Sequence, residues 1–468
     1  MLSDFEGLFP ITRLTERALV IGGGIAGIEA ALSLAEMGIE VVLLERQPSL
    51  GGRMAQLDKL FPTLDHAVCN LRDRMDASAN HPNVRLLTYA RVERVDGYVG
   101  DFEVTFRLRV RKVRASACDG CGKCWRHCPV KVTSEFDEGM GRRSAIYIPF
   151  PQAIPSVPVV DEASCLHFSG EDCRICADVC PTGCVDFDQE DSTLTERFGA
   201  IVVATGLSLS DPSVYAEYGF GRYPDVVTSL QLERSLNSAG PTRGEVYRPS
   251  NGARPEKVVL VCCVGAGDSR AGRSYPSPIC CINTIKQAVL LKRVCGRAEV
   301  YVVHEGVRQL GAGKAMRRGL QLVGKGGEEL LQRACEEPDI HFVGGKVCEV
   351  QSQGTRLVMR LEETESGAPM QIESDLVVLA PGVEGNEFVE ELADLLGLPA
   401  DHHGFLIEAD SKLRPVESSI EGIFLAGAVT GPRDIAECVA QAGAAAAKVA
   451  GLFRRLAKAI DASPLHMV

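Results

Sequence analysis

Eight of the 18 cysteines fall in two short runs that have the spacing of iron–sulfur ligands. The first run reads Cys-x2-Cys-x2-Cys-x3-Cys-Pro from Cys118, and the second reads Cys-x7-Cys-x2-Cys-x3-Cys-Pro from Cys165. In the ferredoxin pattern, three thiolates of a run bind one cubane and the fourth reaches another cluster. We therefore predict two [4Fe–4S] clusters, one held by Cys118, Cys121, Cys124 and Cys180, the other by Cys128, Cys165, Cys173 and Cys176.

Zinc is the alternative occupant of these two cysteine runs. Four-cysteine zinc sites usually consist of paired Cys-x2-Cys knuckles. Here each run ends in a separate Cys-Pro step, so the spacing favours iron–sulfur clusters over zinc. Cys184 has no place in this count, and we expect it to be a packed thiol.

Glycines near the start of the chain have the spacing of a dinucleotide-binding turn. Residues 22–27 fit G-x-G-x-x-G between a predicted strand at 18–23 and a predicted helix at 25–37. Such a turn brings a pyrophosphate to a helix N-terminus, where free N–H groups and the helix dipole favour anions. An acidic residue ending the next strand can accept hydrogen bonds from a ribose hydroxyl. The predicted contacts in this unit are Gly22, Gly24, Ile25, Ala26, Gly27, Glu45 and Arg46.

Hydrophobic runs predict the elements that position these residues. The strand–helix–strand pattern from residue 18 indicates a βαβ unit and hence a parallel sheet. A segment rich in Cys, Pro and Asp interrupts it at about residue 112, and a buried strand returns at 200–205. A second βαβ pattern runs from about 256 to 382, and a strand at 422–426 precedes an Ala-rich helix at about 434–456.

We therefore predict an α/β fold in which two dinucleotide-binding, Rossmann-like domains carry an inserted α+β ferredoxin domain with two clusters. The first dinucleotide-binding domain is predicted to comprise 1–111, 191–250 and 384–468. The inserted ferredoxin-like domain is predicted at 112–190, and the second nucleotide-binding-like domain at 251–383.

Composition limits the partners that the chain can have. The net charge of −12 argues against nucleic acid, because a phosphate-binding protein needs a basic face. The longest apolar stretch, at about 440–452, contains Lys448 and falls short of the roughly 20 apolar residues of a membrane span. Cysteines concentrated in metal-binding runs indicate a reducing compartment. We expect a cytoplasmic protein without a membrane span of its own.

Three later turns resemble those of flavoproteins with two dinucleotide domains, of the thioredoxin reductase type. Gly51–Arg53 resembles their second phosphate-contact turn, Ala204–Gly206 the turn before their second domain, and residues 422–427 their closing flavin motif. The resemblance implies FAD as the cofactor. An acidic residue usually follows the closing motif, but here the residue is Ala428, so backbone N–H groups or the next helix should hold the flavin tail. The further predicted FAD contacts are Gly52, Arg53, Val92, Ala204, Thr205, Gly206, Gly427, Ala428 and Ile435.

Two cations are candidates for tuning the flavin. Lys286 lies on the predicted helix of the second βαβ pattern, and Arg433 precedes the last helix. A positive charge near the flavin ring stabilises its reduced anion and raises its potential.

Over nearly its whole length the sequence resembles the A subunit of heterodisulfide reductase and its relatives. The likeness is carried by residues 61–65, by the peptide 145–155 between the cysteine runs, by Cys263–Gly265, by the Cys280–Cys281 pair and by residues 425–435. It implies an FAD subunit that passes electrons between clusters and partner subunits. In some relatives the flavin bifurcates electron pairs.

Members of this family often carry a further cluster in the flavoprotein body. At positions where they commonly have cysteine, this chain has His66 and Pro276. A histidine can replace a cysteine at some iron–sulfur sites, and the alternative is a set of buried apolar thiols. A third cluster is therefore an open alternative, and its candidate ligands are Cys69, Cys263, Cys280, Cys281 and His66.

We predict an oxidoreductase that acts as the FAD and [4Fe–4S] electron-transfer subunit of a multi-subunit reductase, without a catalytic side chain of its own. The resemblance implies other redox subunits as partners and a homodimer as one assembly. One alternative is a stand-alone NAD(P)H-linked flavoprotein disulfide reductase, although the second glycine turn, at 265–267, has Arg270 where a third glycine would stand. The other alternative is an assembly scaffold whose cofactors are structural.

Overall fold

The computed structural model describes residues 14–265, 275, 277–305, 324–364, 366–386 and 388–461. Most of the second glycine turn, together with Arg270 and Pro276, lies outside these residues. The helices are α1 (Ile25–Glu36), α2 (Ala67–Asn80), α3 (Lys123–His127), α4 (Ile175–Asp178), α5 (Ser229–Leu236), α6 (Pro278–Val294), α7 (Gly324–Glu336), α8 (Val389–Leu396) and α9 (Ile435–Asp461). The strands are β1 (Arg17–Ile21), β2 (Glu40–Glu45), β3 (Val84–Thr88), β4 (Ala90–Tyr98), β5 (Asp101–Leu108), β6 (Lys131–Thr133), β7 (Arg142–Ser144), β8 (Ile146–Tyr147), β9 (Val159–Val160), β10 (Ser192–Phe198), β11 (Ala200–Val203), β12 (Leu207–Leu209), β13 (Val226–Thr228), β14 (Lys257–Val264), β15 (Glu299–His304), β16 (Ile340–Gln353), β17 (Arg356–Glu363), β18 (Pro369–Ser374), β19 (Leu376–Pro381), β20 (Val383–Gly385) and β21 (Ile423–Leu425).

A five-stranded parallel sheet forms the first body of the protein, in the order β21-β11-β1-β2-β3. Its strands are continuous apolar runs because both faces of the sheet are covered. In β1, Ala18 and Val20 face a core shared with α1, α2 and α9, while Leu19 and Ile21 face a second core shared with β4, β5 and α8. The glycine turn follows β1 directly, so it lies at the carboxyl edge of this sheet.

Helix α9 is longer than the sequence predicts. It has 27 residues, and by length and hydropathy alone it is the helix among the described residues that could cross a membrane. The core helix of a globular protein can pass the same test, so the expectation that the chain has no membrane span of its own stays a prediction. The helix continues through Lys448, whose ammonium lies 3.4 Å from the Glu417 carboxylate, and buries Ala442, Ala445 and Val449 in the core that it shares with α1.

A cysteine-rich module separates two neighbouring strands of an antiparallel sheet, whose order is β10-β5-β4. Leu108, at the end of β5, lies opposite Ser192, at the start of β10. The chain thus leaves the sheet and returns to it at one point. Between these residues, α3, α4 and two small β-hairpins enclose a separate core that includes Val113, Cys124 and Cys176.

A seven-stranded sheet, in the order β13-β19-β14-β15-β16-β17-β18, forms the remaining body. Strands β13 to β16 of this order pair in parallel, and β17 and β18 extend the sheet as antiparallel strands. Strand β13 lies within the range 191–250 that the sequence assigned to the FAD-binding domain, yet it pairs with β19. Its three residues are too short a run for periodicity to reveal that pairing.

A candidate flavin cavity and the cysteine groups

A cavity of about 760 Å³ opens at the carboxyl edge of the five-stranded sheet. Fourteen of the sixteen residues predicted to contact FAD line it, and the other two, Gly27 and Gly427, pack behind it. The lining residues are Gly22, Gly24, Ile25, Ala26, Glu45, Arg46, Gly52, Arg53, Val92, Ala204, Thr205, Gly206, Ala428 and Ile435.

Glycines set the shape of this cavity by letting three segments approach closely. Gly22 has φ +112°, and a Cβ there would lie 2.4 Å from the Ala204 carbonyl oxygen. A Cβ on Gly27 would lie 1.8 Å from the Gly22 oxygen, and one on Gly52 would lie 2.9 Å from the Gly24 Cα. The N-terminus of α1 and the turn at 51–52 therefore face each other without side chains, which suits the close approach of a pyrophosphate.

Polar groups in the wall are placed to bind a nucleotide. The Glu45 carboxylate accepts hydrogen bonds from the backbone N–H groups of Gly23 and Gln47, both at 2.6 Å, and burial raises its pKa. The Arg46 guanidinium lies over the ring of Phe388. The buried Thr205 hydroxyl oxygen has no hydrogen-bond partner within the described part of the chain. An unsatisfied buried hydroxyl in a cavity wall is what a bound polar cofactor would satisfy, so these residues fit FAD.

The last helix closes the cavity on the side where the usual acidic residue is replaced by Ala428. Asp434 and Glu437 cap the start of α9 by accepting hydrogen bonds from each other's backbone N–H group, at 2.9 and 2.8 Å. Arg433 lines the cavity, where its guanidinium lies 3.4 Å from the Glu408 carboxylate. The start of α9 and the Arg433 guanidinium thus lie where we expected backbone N–H groups or the following helix to hold the flavin tail.

The inserted module supplies part of the same cavity wall, which the sequence did not predict. Phe136 and Phe150 of the module line the cavity and stack with ring centroids 4.8 Å apart. The buried Arg234 of α5 donates to the Asp137 carboxylate at 3.0 Å and to the Gln56 carbonyl at 3.2 Å. The module is therefore held directly against the cavity.

One of the two predicted sets of four cysteine ligands lies together in the module. Cys128, Cys165, Cys173 and Cys176 line one small apolar cavity of about 10 Å³. Cys124 of the other predicted set interacts electrostatically with Cys118 and Cys180 of its own set, and also with Cys176. Burial raises the pKa of the Cys124 and Cys176 thiols to about 12, so that loss of their protons requires a bound metal. Both groups fit clusters held by thiolates.

Cys121 and Cys184 complete the description of this module. Cys121 lies on the loop before α3, where its N–H donates to the Asp119 carboxylate at 3.1 Å. Cys184 is buried, with its sulfur 3.4 Å from that of Cys180 and its N–H donating to the same sulfur at 3.4 Å. Such N–H···S contacts tune the potential of a cluster.

A third cysteine group lies at the wall of the flavin cavity. The Cys263 sulfur is 3.2 Å from that of Cys280 and 3.4 Å from that of Cys281, and Cys280 also lines the cavity. Three of the five candidate ligands of a third cluster are thus together. The other two, Cys69 and His66, are exposed on or beside α2, and neither belongs to this group.

Three buried ionisable groups near the cavity form no part of the predicted FAD contacts, and one of them, Glu233, was not singled out by the sequence. Lys286 and Glu233 form an ion pair of 2.8 Å with no exposed surface on either side chain, and Glu233 lines the cavity. His304 is buried at the end of β15, where burial lowers the pKa of its imidazole, and its Nδ1 has no hydrogen-bond partner among the residues described. The sequence could have indicated Glu233 as an acidic residue inside a helix whose other side chains are mostly buried.

Comparisons with known proteins identify the class that this fold and these sites define. A family model of FAD dependent oxidoreductases matches residues 18–76, and a model of the 4Fe-4S dicluster domain matches residues 117–190. The solved thioredoxin reductase of Lactococcus lactis superposes with a TM-score of 0.51 at 14% identity, covering 94% of this chain and 100% of that chain. The predicted fold class is confirmed, and the chain carries an FAD dependent oxidoreductase domain and a 4Fe–4S dicluster domain.

Curated relatives are similar to nearly the whole of this chain. The chain is 42% identical over 436 residues to the A subunit of the H2:CoB–CoM heterodisulfide, ferredoxin reductase of Methanothermobacter marburgensis, covering 93% of this chain and 63% of the relative. It is 44% identical over 439 residues to the second iron–sulfur A subunit of the CoB–CoM heterodisulfide reductase of Methanopyrus kandleri, covering 93% of this chain and 64% of the relative. The chain is similar to these heterodisulfide reductase A subunits over nearly its whole length, and it spans less than two thirds of the length of these relatives.

Proposed function

We propose that the chain is the FAD and iron–sulfur electron-transfer subunit of a heterodisulfide-reductase-like complex, passing electrons between flavin, clusters and partner subunits. One observation carries the proposal: the wall of the cavity that fits FAD is built jointly by the dinucleotide-binding fold and by the cysteine-rich module. A cofactor in that cavity contacts the module that holds the cluster ligands. FAD supplies exchange of electrons singly or in pairs when bound, and a cluster supplies exchange of single electrons.

In this proposal the side chains position the cofactors and exclude water. The glycine turns at 22–27 and 51–52 hold the pyrophosphate against the start of α1, and Glu45 accepts hydrogen bonds from a ribose. Phe136 and Phe150 cover the cavity from the module side. Buried Arg111 fixes the module to the sheet, because it donates to the Val157 carbonyl at 3.0 Å and to the Pro48 carbonyl at 2.6 Å.

We propose that the two cysteine groups of the module bind two [4Fe–4S] clusters with the predicted crossover ligands. The module spans 112–190 in this proposal and divides an FAD-binding domain at 1–111, 191–250 and 384–468, with the second nucleotide-binding-like domain at 251–383. The pairing of β13 with β19 adds residues 226–228 to that second domain.

The partners in this proposal are other redox subunits, because the relatives are named as subunits of reductases. The net charge of −12 favours partner faces with basic residues. We propose that α9 is a core helix and not a membrane span, since its buried face packs on α1, and that the protein acts in the cytoplasm without nucleic acid. A homodimer of the chain would place two such cavities in one complex.

Quantitation of iron, sulfide and flavin in anaerobically purified protein, with EPR during a redox titration, tests the proposal. We expect about eight cluster irons and one FAD, and two EPR signals that appear on reduction. The Cys118→Ser variant should lose one signal, whereas Cys295→Ser, a buried thiol outside the module, should keep both. Zinc in place of iron, or clusters that stay oxidised at all physiological potentials, would contradict electron transfer. Bleaching of the flavin by NAD(P)H in the isolated chain would favour the stand-alone reductase.

A further inference from the structure

The two halves of the inserted module carry opposite charge. Residues 109–134, which contain the first cysteine run, include seven Lys and Arg side chains and one acidic side chain. Residues 161–191, which contain the second run, include nine acidic side chains and one basic side chain. The first half is therefore a strongly basic segment in a chain whose net charge is −12.

Three exposed cations of the first half lie on the loops that carry predicted ligands of the first cluster. We call them the basic face, and they are Arg114, Lys123 and Arg126. The Arg126 guanidinium donates to the Cys121 carbonyl at 3.2 Å. The Arg114 guanidinium donates at 2.6 Å to the carbonyl of Gly183, which follows the Cys-Pro step of the second run, whose cysteine is assigned to the same cluster. Lys123 begins α3, directly after the first two cysteines of the run.

The cations of the basic face form no ion pair with the residues that the structure describes. Two other cations of the module show the contrast. The Lys112 ammonium lies 3.7 Å from the Glu162 carboxylate, and the Arg143 guanidinium lies 2.6 Å from that of Glu135. Asp119, the acid of the first half, accepts a hydrogen bond from a backbone N–H of its own loop. The positive charge of the basic face is thus available to a partner.

Compensation of cluster charge does not account for this arrangement. A cluster held by four thiolates brings negative charge to its surroundings, and net charge is one of the properties that set its potential. Both predicted clusters have four cysteine ligands, so compensation would place cations around each of them. The second run is instead flanked by exposed acids, with Arg174 as its one Lys or Arg. These acids are Glu171, Asp172 and Asp178.

The predicted ligands beside the basic face are also the less buried set. Of the four predicted ligands of the first cluster only Cys124 is buried, whereas two ligands of the second cluster, Cys165 and Cys176, are buried. A protein that docks at the basic face would therefore meet the more accessible of the two predicted clusters.

We propose that the basic face docks an acidic one-electron carrier protein, which exchanges single electrons with the module. The proposal rests on the proposed function, because it requires that the first cysteine set binds a cluster. One electron passes per encounter, so the carrier is oxidised as the module is reduced, or the reverse, and no bond or proton is transferred. Complementary charge steers such partners together and fixes their orientation. The net charge of −12 repels the same carrier elsewhere, so encounters concentrate at this face.

Binding of a gallium-substituted acidic ferredoxin to the full chain with its cofactors tests the proposal. Gallium does not take up electrons under these conditions, so the affinity does not depend on electron transfer. We expect the affinity to fall as NaCl rises from about 0.01 M to about 1 M, because the Debye length shortens from about 30 Å to about 3 Å. Two acidic proteins without a complementary face would show the opposite trend. The Lys123→Glu, Arg126→Glu double variant should bind at least about tenfold more weakly at low salt.

Arg174→Glu is the matched control, because it reverses an exposed charge beside the second predicted cluster. It should bind the gallium protein as tightly as the unaltered chain does, and so should Arg126→Lys, which keeps the charge. Iron content and the EPR signals should be the same in all these variants, which separates loss of docking from loss of a cluster. The rate at which the native reduced ferredoxin reduces the module should fall together with the affinity.

Four results would overturn the proposal. They are an affinity that rises with salt, an equal loss of affinity in Arg174→Glu, a changed cluster potential in the double variant without a change in affinity, and equally tight binding of a duplex oligonucleotide. None of these results alters the count of irons and flavin or the two EPR signals by which the proposed function is judged.

Discussion

Replacing Gly27 with alanine should weaken FAD binding by pushing α1 away from the glycine turn. The new Cβ would lie 1.8 Å from the Gly22 carbonyl oxygen and 2.9 Å from its carbon. Gly27 lies in the first turn of a helix with ordinary φ, so the effect is steric and involves no backbone strain. Relief of the overlap requires a movement of about 1.5 Å at the helix start that is placed to hold the pyrophosphate.

The size of the effect follows from the cost of overpacking. An extra methyl group in a well-packed site costs about 1–3 kcal/mol. If that cost falls on the bound state, the dissociation constant of FAD rises roughly 5- to 150-fold. The assay is a titration of the flavin-free protein with FAD, followed by flavin fluorescence, with iron content measured to show that the module is intact.

Gly443→Ala is the matched control, because no atom lies within 4 Å of a Cβ at that position of α9. It should leave FAD affinity unchanged and stabilise the helix by up to about 1 kcal/mol. A Gly27→Ala protein that binds FAD as tightly as this control would refute the placement of the pyrophosphate at α1.

Three further changes test other parts of the site. Cys165→Ser should remove about half of the cluster iron, measured by iron and sulfide assays. Lys286→Met should lower the free energy of unfolding by about 3–5 kcal/mol, because it leaves the Glu233 charge buried and unpaired. Combining it with Glu233→Leu should recover most of that loss in chemical denaturation. FAD affinity should fall as the pH is lowered through the pKa of Glu45, which burial raises above 4.5, because the ionised form accepts ribose hydrogen bonds. Glu45→Gln should flatten that profile. Unchanged iron in Cys165→Ser would contradict the cluster assignment. A Lys286→Met protein as stable as the double variant would contradict the ion-pair argument, and an FAD affinity that does not depend on pH would contradict the role of Glu45.

Sequence patterns that imply a close backbone approach or a set of metal ligands were sufficient to predict much of the fold and of the candidate site. The glycine spacing at 22–27 predicts a close approach of backbone segments, and fourteen of the sixteen predicted FAD contacts line one cavity. The cysteine spacing predicts the two ligand sets through the ferredoxin crossover pattern, and one of these sets lines a single small cavity. These inferences concern residues that are close in sequence, or that follow a motif with fixed geometry.

Contacts between distant segments could not be obtained in this way. Glu233 and Lys286 lie on different helices, and only packing of α5 on α6 brings them together. The joint cavity wall depends on docking of the module, which no periodicity records. The grouping of Cys69 and His66 with the later cysteines was drawn from the family resemblance, whereas the structure leaves both side chains exposed on or beside α2. The burial of His304 depends on the face of β15 on which it lies, which the sequence alone does not reveal.

The separation of β5 and β10 by the module also sets an order of maturation. Strand β10 cannot pair with β5 until the whole module has been synthesised, and β21 and Ile435, which complete the sheet and the cavity, come later still. Domains generally fold as units as the chain emerges from the ribosome, so the cluster ligands are available before the flavin cavity is closed. Because Phe136 of the module forms part of that cavity, iron starvation of a producing cell should yield chains that lack flavin as well as clusters.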